Sequence, residues 1–227
     1  MECRGSWPCQ AFWATPRKQS VSPSEIALLR GGLSCGKLLI QFKQMNPAII
    51  GLYSPAQGSG KSTIAQILKE QRGYECVSFA GPLKQMSIAF FEGMGYSKNQ
   101  ARHLIYNKDY MIPGLNITVR KIMQTIGTDW GREIIDKDVW VKIWQMRILQ
   151  FNLVTVDDVR FENEAQTIKE LGGQVWKVIR PGVENADSHK SEGLLDDWGG
   201  FDRLLINGGS INQLEELTLK TIDGDLW

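Results

Sequence analysis

The chain is poor in everything that staples, anchors or strongly charges a protein. Four cysteines in 227 residues (Cys3, Cys9, Cys35, Cys76), none in a CxxC pair, exclude a disulfide scaffold and offer no zinc or redox motif, so a reducing compartment is expected. His189 has no second His or Cys at ligand spacing, which argues against a histidine metal site. No apolar run approaches the ~20 residues of a spanning helix, and the N-terminus lacks the continuous apolar stretch of a secretory signal. A charge excess is missing too: 26 Lys+Arg face 25 Asp+Glu, a net charge of +1. No global field therefore draws the protein to nucleic acid or to a membrane surface, and any charge that matters is local. Internal repeats and low-complexity tracts are absent. What is left, 42% hydrophobic and 22% charged residues, is globular composition, long enough for one sizeable core with insertions.

Charge is unevenly placed. Residues 1–44 carry six basic side chains (Arg4, Arg17, Lys18, Arg30, Lys37, Lys43) against two acidic ones (Glu2, Glu25), and they show no sustained period of 2 or 3.6. They read as an N-terminal extension with little fixed structure, faintly like a transit peptide, that does no chemistry. The functional domain is expected over 45–227.

From Asn46 onward, strand-like and helix-like blocks alternate. Ala48–Tyr53 (AIIGLY) suits a buried parallel strand, and 61–71 follows as a helix with Ile64, Ile67 and Leu68 on one face. Cys76–Ala80 reads as a second strand and Pro82–Phe91 as a helix with proline in its first turn. A mainly helical insertion over about 95–150, broken at Pro113-Gly114, comes next. Strands are expected at 153–157, 174–179 and 204–207, and helices at 162–171 and 211–221. Such alternation implies an α/β fold with a parallel sheet flanked by helices. Trp130, Trp140, Trp144 and Trp176 read as core residues.

The first βα junction carries PAQGSGKST, Pro55–Thr63. The phosphate-binding pattern GxxxxGK[ST] is met at Gly60, Lys61 and Ser62, with Pro55 standing where its first glycine belongs. Glycine is needed because a backbone that curls around a phosphate must turn its N–H groups inward, and a Cβ obstructs this. Gly58 and Gly60 supply that freedom. Lys61 would reach the β- and γ-phosphates, Ser62 would ligate Mg²⁺, and the helix N-terminus adds positive potential. Further on, the apolar strand at 153–157 ends in Asp157 and Asp158, with Arg160, Glu162 and Glu164 just beyond. Carboxylates at the C-terminal end of such a strand hold Mg²⁺ or substrate in phosphate-loop folds. The loop alone would serve a kinase, an ATPase or a switch equally well.

Five segments in order, FAGPLK (79–84), VRKIMQTIGTDWGR (119–132), VDDVRFENEAQTIKELGG (156–173), SHKSE (188–192) and LLINGGSINQL (204–214), resemble the bacteriophage-type deoxynucleoside monophosphate kinases. The resemblance covers roughly 47–217. It implies a P-loop, NMP-kinase-like fold with a helical acceptor-binding insertion, a lid-like segment around 181–191, and transfer of the ATP γ-phosphate to a deoxynucleoside monophosphate with Mg²⁺. Carried over, it implies that Gly58, Ser59, Gly60, Lys61, Ser62 and Thr63 hold ATP. Lys84, Arg120, Gly127, Thr128, Trp140, Asp158, Arg160 and Glu164 would form the acceptor site. Lys61, Arg160 and Asp158 are the catalytic candidates, and Ser62 and Asp157 the metal ligands. Pro55, and Gly81 where the family often has Asp, depart from its pattern. Small nucleotides are the expected partners in a cytoplasmic enzyme, without nucleic acid or membrane, and a homodimer is left open. The alternatives are a P-loop kinase for another small acceptor, such as a coenzyme precursor, and an ATPase or switch module.

Overall fold

The computed structural model describes residues 48–183 and 195–224; the extension over 1–44 and the SHKSE segment with His189 lie outside the described residues. Five parallel strands form the central sheet in the order β2-β5-β1-β6-β7: β1 Ala48–Tyr53, β2 Glu75–Cys76, β5 Leu153–Val156, β6 Gln174–Ile179 and β7 Arg203–Ile206. β1 sits in the middle and is buried from Ile49 onward, as its unbroken apolar run requires once helices cover both faces.

The first helix, α1 (Lys61–Arg72), buries Ile64, Ala65, Ile67 and Leu68. It ends at Gly73, whose φ of 73° is a left-handed cap. With α7 (Ile211–Asp223) it covers one sheet face, where Ile50, Leu52, Trp176, Val178 and Leu205 form a core. On the other face Trp144 and Ile148 of α5 (Val139–Ile148) and Ala165 and Ile168 of α6 (Glu162–Glu170) pack against Val154, Val156 and Val175. The insertion has a core of its own, built from Phe91, Ala101, Ile105, Ile112, Val119 and Ile122. Its elements are α2 (Gly81–Gly93), α3 (Lys98–Leu104), the strands β3 (Met111–Ile112) and β4 (Ile117–Thr118), and α4 (Val119–Gln124). A π-helical stretch, Thr125–Ile135, then leads toward α5.

Two sequence expectations need correction, the length of the second strand and the burial of Trp130, and a third gains detail. The second strand stops at Cys76, because the backbone N–H groups of Phe79 and Ala80 donate to the Asp158 carboxylate rather than to a neighbouring strand. The insertion is mainly helical and breaks at Pro113-Gly114, as expected, but the break is a hairpin rather than a bare interruption. Proline cannot continue a helix, and Gly114 (φ 82°) and Asn116 (φ 51°) take left-handed backbone, so the chain reverses into an antiparallel hairpin pairing Ile112 with Ile117. Trp130 is exposed at 41%, whereas Trp140, Trp144 and Trp176 are buried as expected.

Candidate active site

The loop between β1 and α1 is held open by its glycines. Gly58 (φ 72°) and Gly60 (φ 104°) take the left-handed turns, so Pro55 occupies a place that requires no positive φ. No described side chain caps α1, and its first turn holds no acidic residue, which leaves the helix N-terminus positive and open toward an anion. Two side chains from other elements hold the loop. Asn207, at the end of β7, donates from Nδ2 to the buried Ser59 carbonyl at 2.9 Å, and Arg180, past β6, donates from Nη1 to the Gly58 carbonyl at 3.1 Å. Lys61 Nζ lies 3.4 Å from Ser59 Oγ, and Thr63 follows it in α1.

The end of β5 lies beside this loop. Asp157 Oδ2 is 3.5 Å from Ser62 Oγ, and its Oδ1 accepts from Ser78 Oγ at 2.8 Å. The next carboxylate turns the other way: Asp158 accepts the Phe79 and Ala80 N–H groups, one on each oxygen, both at 2.9 Å. It thereby fixes the turn that opens α2 and carries Lys84. Burial, and then the negative charge of Asp157, hold the Asp158 carboxyl above its usual range. Gly81 in this turn lies under the Arg147 guanidinium, which occupies the space a Cβ would need.

Beyond the turn opens a cleft of about 330 Å³ between the sheet edge and the insertion. All eight acceptor candidates line it: Lys84, Arg120, Gly127, Thr128, Trp140, Asp158, Arg160 and Glu164. They come from α2, α4, the π-helical stretch, α5 and the β5–α6 junction with the first turn of α6, so only the folded chain brings them together. The π-helix packs closely: Gly127 lies against Leu83, Gly131 lies against the Trp140 ring, and Trp140 Nε1 donates to the Gly127 carbonyl at 2.8 Å. Trp144, one helical turn on, turns away from the cleft. It donates to the Val77 carbonyl and packs on Phe79 with ring centroids 4.5 Å apart. Arg120 pairs with Asp109 at 3.0 Å on the rim.

Glu164 is the most buried charge in the cleft, 3% exposed. It accepts from Arg132 Nη2 at 2.8 Å, from the Arg160 N–H at 2.9 Å and from the Phe161 N–H at 3.2 Å. Burial and the nearby Asp158 charge still outweigh these donors and push its carboxyl up to about 7. Arg132 is mostly covered. It bridges to Glu164 with its guanidinium 4.0 Å above the Phe161 ring. Sequence reasoning also missed Asn207, Arg180 and the cleft-lining Gln57, Tyr106, Lys108 and Gln124. The one signal for Asn207 was a polar residue closing an apolar strand.

A glycine-rich loop at the C-terminal end of the central strand of a parallel sheet, beside a cleft lined by Lys84, Arg120, Arg132 and Arg160, is the architecture of a P-loop phosphotransferase. Comparison with known proteins narrows the class. The family model for deoxynucleotide monophosphate kinases matches residues 94–218, more than half of the chain and wholly outside the glycine-rich loop. A protein of Acanthamoeba polyphaga mimivirus, whose own assignment as a deoxynucleotide monophosphate kinase is inferred, is 31% identical over 191 residues, covering 77% of this chain and 96% of that one. The deoxynucleotide monophosphate kinase of Enterobacteria phage T4 is 31% identical over 102 residues, 43% of this chain and 42% of the phage protein. Among solved structures, the dephospho-CoA kinase from Campylobacter jejuni aligns with 79% of this chain and 97% of its own at 16% identity and a TM-score of 0.41. The chain belongs to the deoxynucleotide monophosphate kinase family, and it is an enzyme of the phosphotransferase class. None of the helices among the described residues is long and apolar enough to cross a membrane.

Proposed function

We propose that the enzyme moves the γ-phosphate of ATP to the 5′-phosphate of a deoxynucleoside monophosphate, giving ADP and the diphosphate. The observation that carries this reading is the placement of the eight acceptor candidates on one cleft beside the loop, although they come from five parts of the chain. The phosphates of ATP lie along the loop from Gly58 to Thr63, where Lys61 offsets charge on the β- and γ-phosphates. Ser62 and Asp157 offer hard oxygen donors at neighbouring positions, the set that suits Mg²⁺ beside a nucleotide. Bound there, Mg²⁺ would neutralise charge on the phosphate oxygens.

The acceptor lies in the cleft with its phosphate toward Lys84 and Arg160. Two anions must approach in line, and electrostatics opposes this unless cations surround both. Arg160 lines the cleft and is the cation we assign to bridge them, since its planar fork binds two phosphate oxygens at once. Asp158 acts by positioning: it holds the Phe79–Ala80 turn, and thereby the start of α2, at a fixed distance from Asp157 and the loop. Trp140, Gly127 and Thr128 give the cleft its wall, and Arg120 closes the outer end.

An ATPase or switch has no use for a second cleft carrying Lys84, Arg120, Arg132 and Arg160, which is why the kinase reading is preferred. The test is ADP release measured across a panel of deoxy- and ribonucleoside monophosphates, with and without acceptor. Acceptor-dependent ADP release with deoxynucleotides is expected. Hydrolysis that ignores the acceptor, or turnover only with a coenzyme precursor, would overturn the reading.

A further inference from the structure

We infer that Gln124 reads the edge of the acceptor's base, an inference that rests on the kinase reading above. Arg120 and Gln124 lie on one face of α4, Gly127 and Thr128 follow in the π-helical stretch, and all four line the cleft. Gln124 is half-buried there between the cleft residues Met123 and Gly127, and its carboxamide makes no hydrogen bond to any described residue. A polar side chain on a partly apolar wall without a protein partner is satisfied by water or by a ligand, and a ligand that replaces the water must return its hydrogen bonds.

The end of the cleft at which Gln124 stands decides which part of the acceptor it meets. The phosphate end is fixed by Lys84, Arg160 and the turn tethered by Asp158, next to Asp157 and Ser62. Gln124 belongs instead to α4, whose Val119 and Ile122 are built into the core of the insertion together with Ile105, while Leu83 and Met123 add further apolar surface to the cleft. Apolar side chains beside a carboxamide suit a nucleobase and not a phosphate.

Chemistry then sets the breadth of that contact. A carboxamide offers one acceptor and two donors side by side. It complements the N–H and C=O of thymine or guanine in one orientation, and the ring nitrogen and amino group of adenine or cytosine after a half-turn of its terminal torsion. No described neighbour holds Gln124 in either orientation, so this position accepts keto and amino bases alike and discriminates little between them.

The test compares Gln124→Leu and Gln124→Glu with the wild type by calorimetric binding of dGMP, dTMP, dAMP and dCMP and by steady-state kinetics. Gln124→Leu is expected to weaken all four deoxynucleotides about tenfold, the worth of one or two neutral hydrogen bonds, with the KM for ATP and kcat little changed. Gln124→Glu can only accept, so it should turn a broad enzyme toward dGMP, the base with two adjacent donors at N1 and N2, and away from dTMP. Equal binding of all four bases by the wild type and both variants would overturn the inference, as would a uniform loss in Gln124→Glu with no change of preference. A wild type that binds deoxynucleotides but never phosphorylates them would count against the proposed reaction alone. A raised KM for ATP or a lowered thermal midpoint in both variants would reassign Gln124 to structure.

Discussion

Gly60 and Asn207 leave no room for a side chain between them. A Cβ on Gly60 would lie 2.5 Å from Asn207 Nδ2, the atom that donates to the Ser59 carbonyl, and Leu214 Cδ2 would stand 3.4 Å away. The phosphate loop is therefore braced by the last strand of the sheet, about 150 residues away in sequence. Asn207→Ala should raise the KM for ATP several-fold, the effect of losing one buried hydrogen bond worth about 1 kcal/mol. The KM for the acceptor should hardly move. Gly60→Ala should be worse, because it adds the cost of a side chain at φ 104° to the collision. Binding of an ATP analogue, measured alongside the thermal midpoint, separates a misshapen loop from an unfolded protein.

Lys61→Ala should abolish useful turnover while the fold survives. Lys61 lies at the start of α1, outside the apolar cores, so its loss empties no cavity. On the proposed reading its charge acts on the transferring group, and preorganised interactions of that kind are worth ~3 to 4 kcal/mol, or a few hundredfold in kcat. Stopped assays and circular dichroism on the purified variant check both halves. Near-normal kcat in a folded variant would remove the ATP-site assignment.

Arg160 distinguishes transfer from hydrolysis. If its fork spans donor and acceptor only as charge moves, Arg160→Ala should lower kcat for deoxynucleotide phosphorylation far more than it raises the KM for ATP. Arg160→Lys should recover only part of the rate, since an ammonium group cannot bind two oxygens in one plane. Steady-state kinetics with ATP and dTMP varied independently, and hydrolysis measured without acceptor, give the answer. Unchanged deoxynucleotide turnover in Arg160→Ala would refute the role.

Glu164 should leave a mark on the pH dependence of stability. Its carboxyl is raised in the folded protein from 4.5 to about 7, so the folded state keeps a proton that the unfolded chain has lost. Its contribution to stability is therefore greatest below pH ~4.5 and fades as pH rises through about 7, by on the order of 3 kcal/mol. Unfolding measured from pH 5 to 8 should fall more steeply for the wild type than for Glu164→Ala. The variant will start lower throughout, because it leaves Arg132 covered and without its carboxylate. Parallel slopes for the two proteins would show that Glu164 is ionised across the whole range.

The strands that lie fully inside the sheet were legible in the chain. AIIGLY and QVWKVI coincide with β1 and β6 residue for residue, because strands covered on both faces are dominated by apolar and β-branched residues. The phosphate loop was legible for a related reason. Its chemistry is local: two glycines, a lysine and a serine act within a few residues of one another, and local geometry is written in local sequence.

The insertion and the partnerships within the cleft had no such local signature. Residues 111–118 carry too short an apolar pattern to announce a hairpin, and the pairing of Ile112 with Ile117 is chosen by the shared core around Phe91 and Val119. The sequence listed Asp158, Arg160 and Glu164 as one acidic and basic run at a strand end. Only packing decided that Asp158 would face back to Phe79 and Ala80, while Glu164 would take Arg132 from 32 residues upstream. The reason is desolvation: a carboxylate taken out of water must find donors wherever the fold places them, and in this chain those donors come from other elements. Sequence alone thus determined which residues could do the chemistry, and the tertiary structure decided which of them meet.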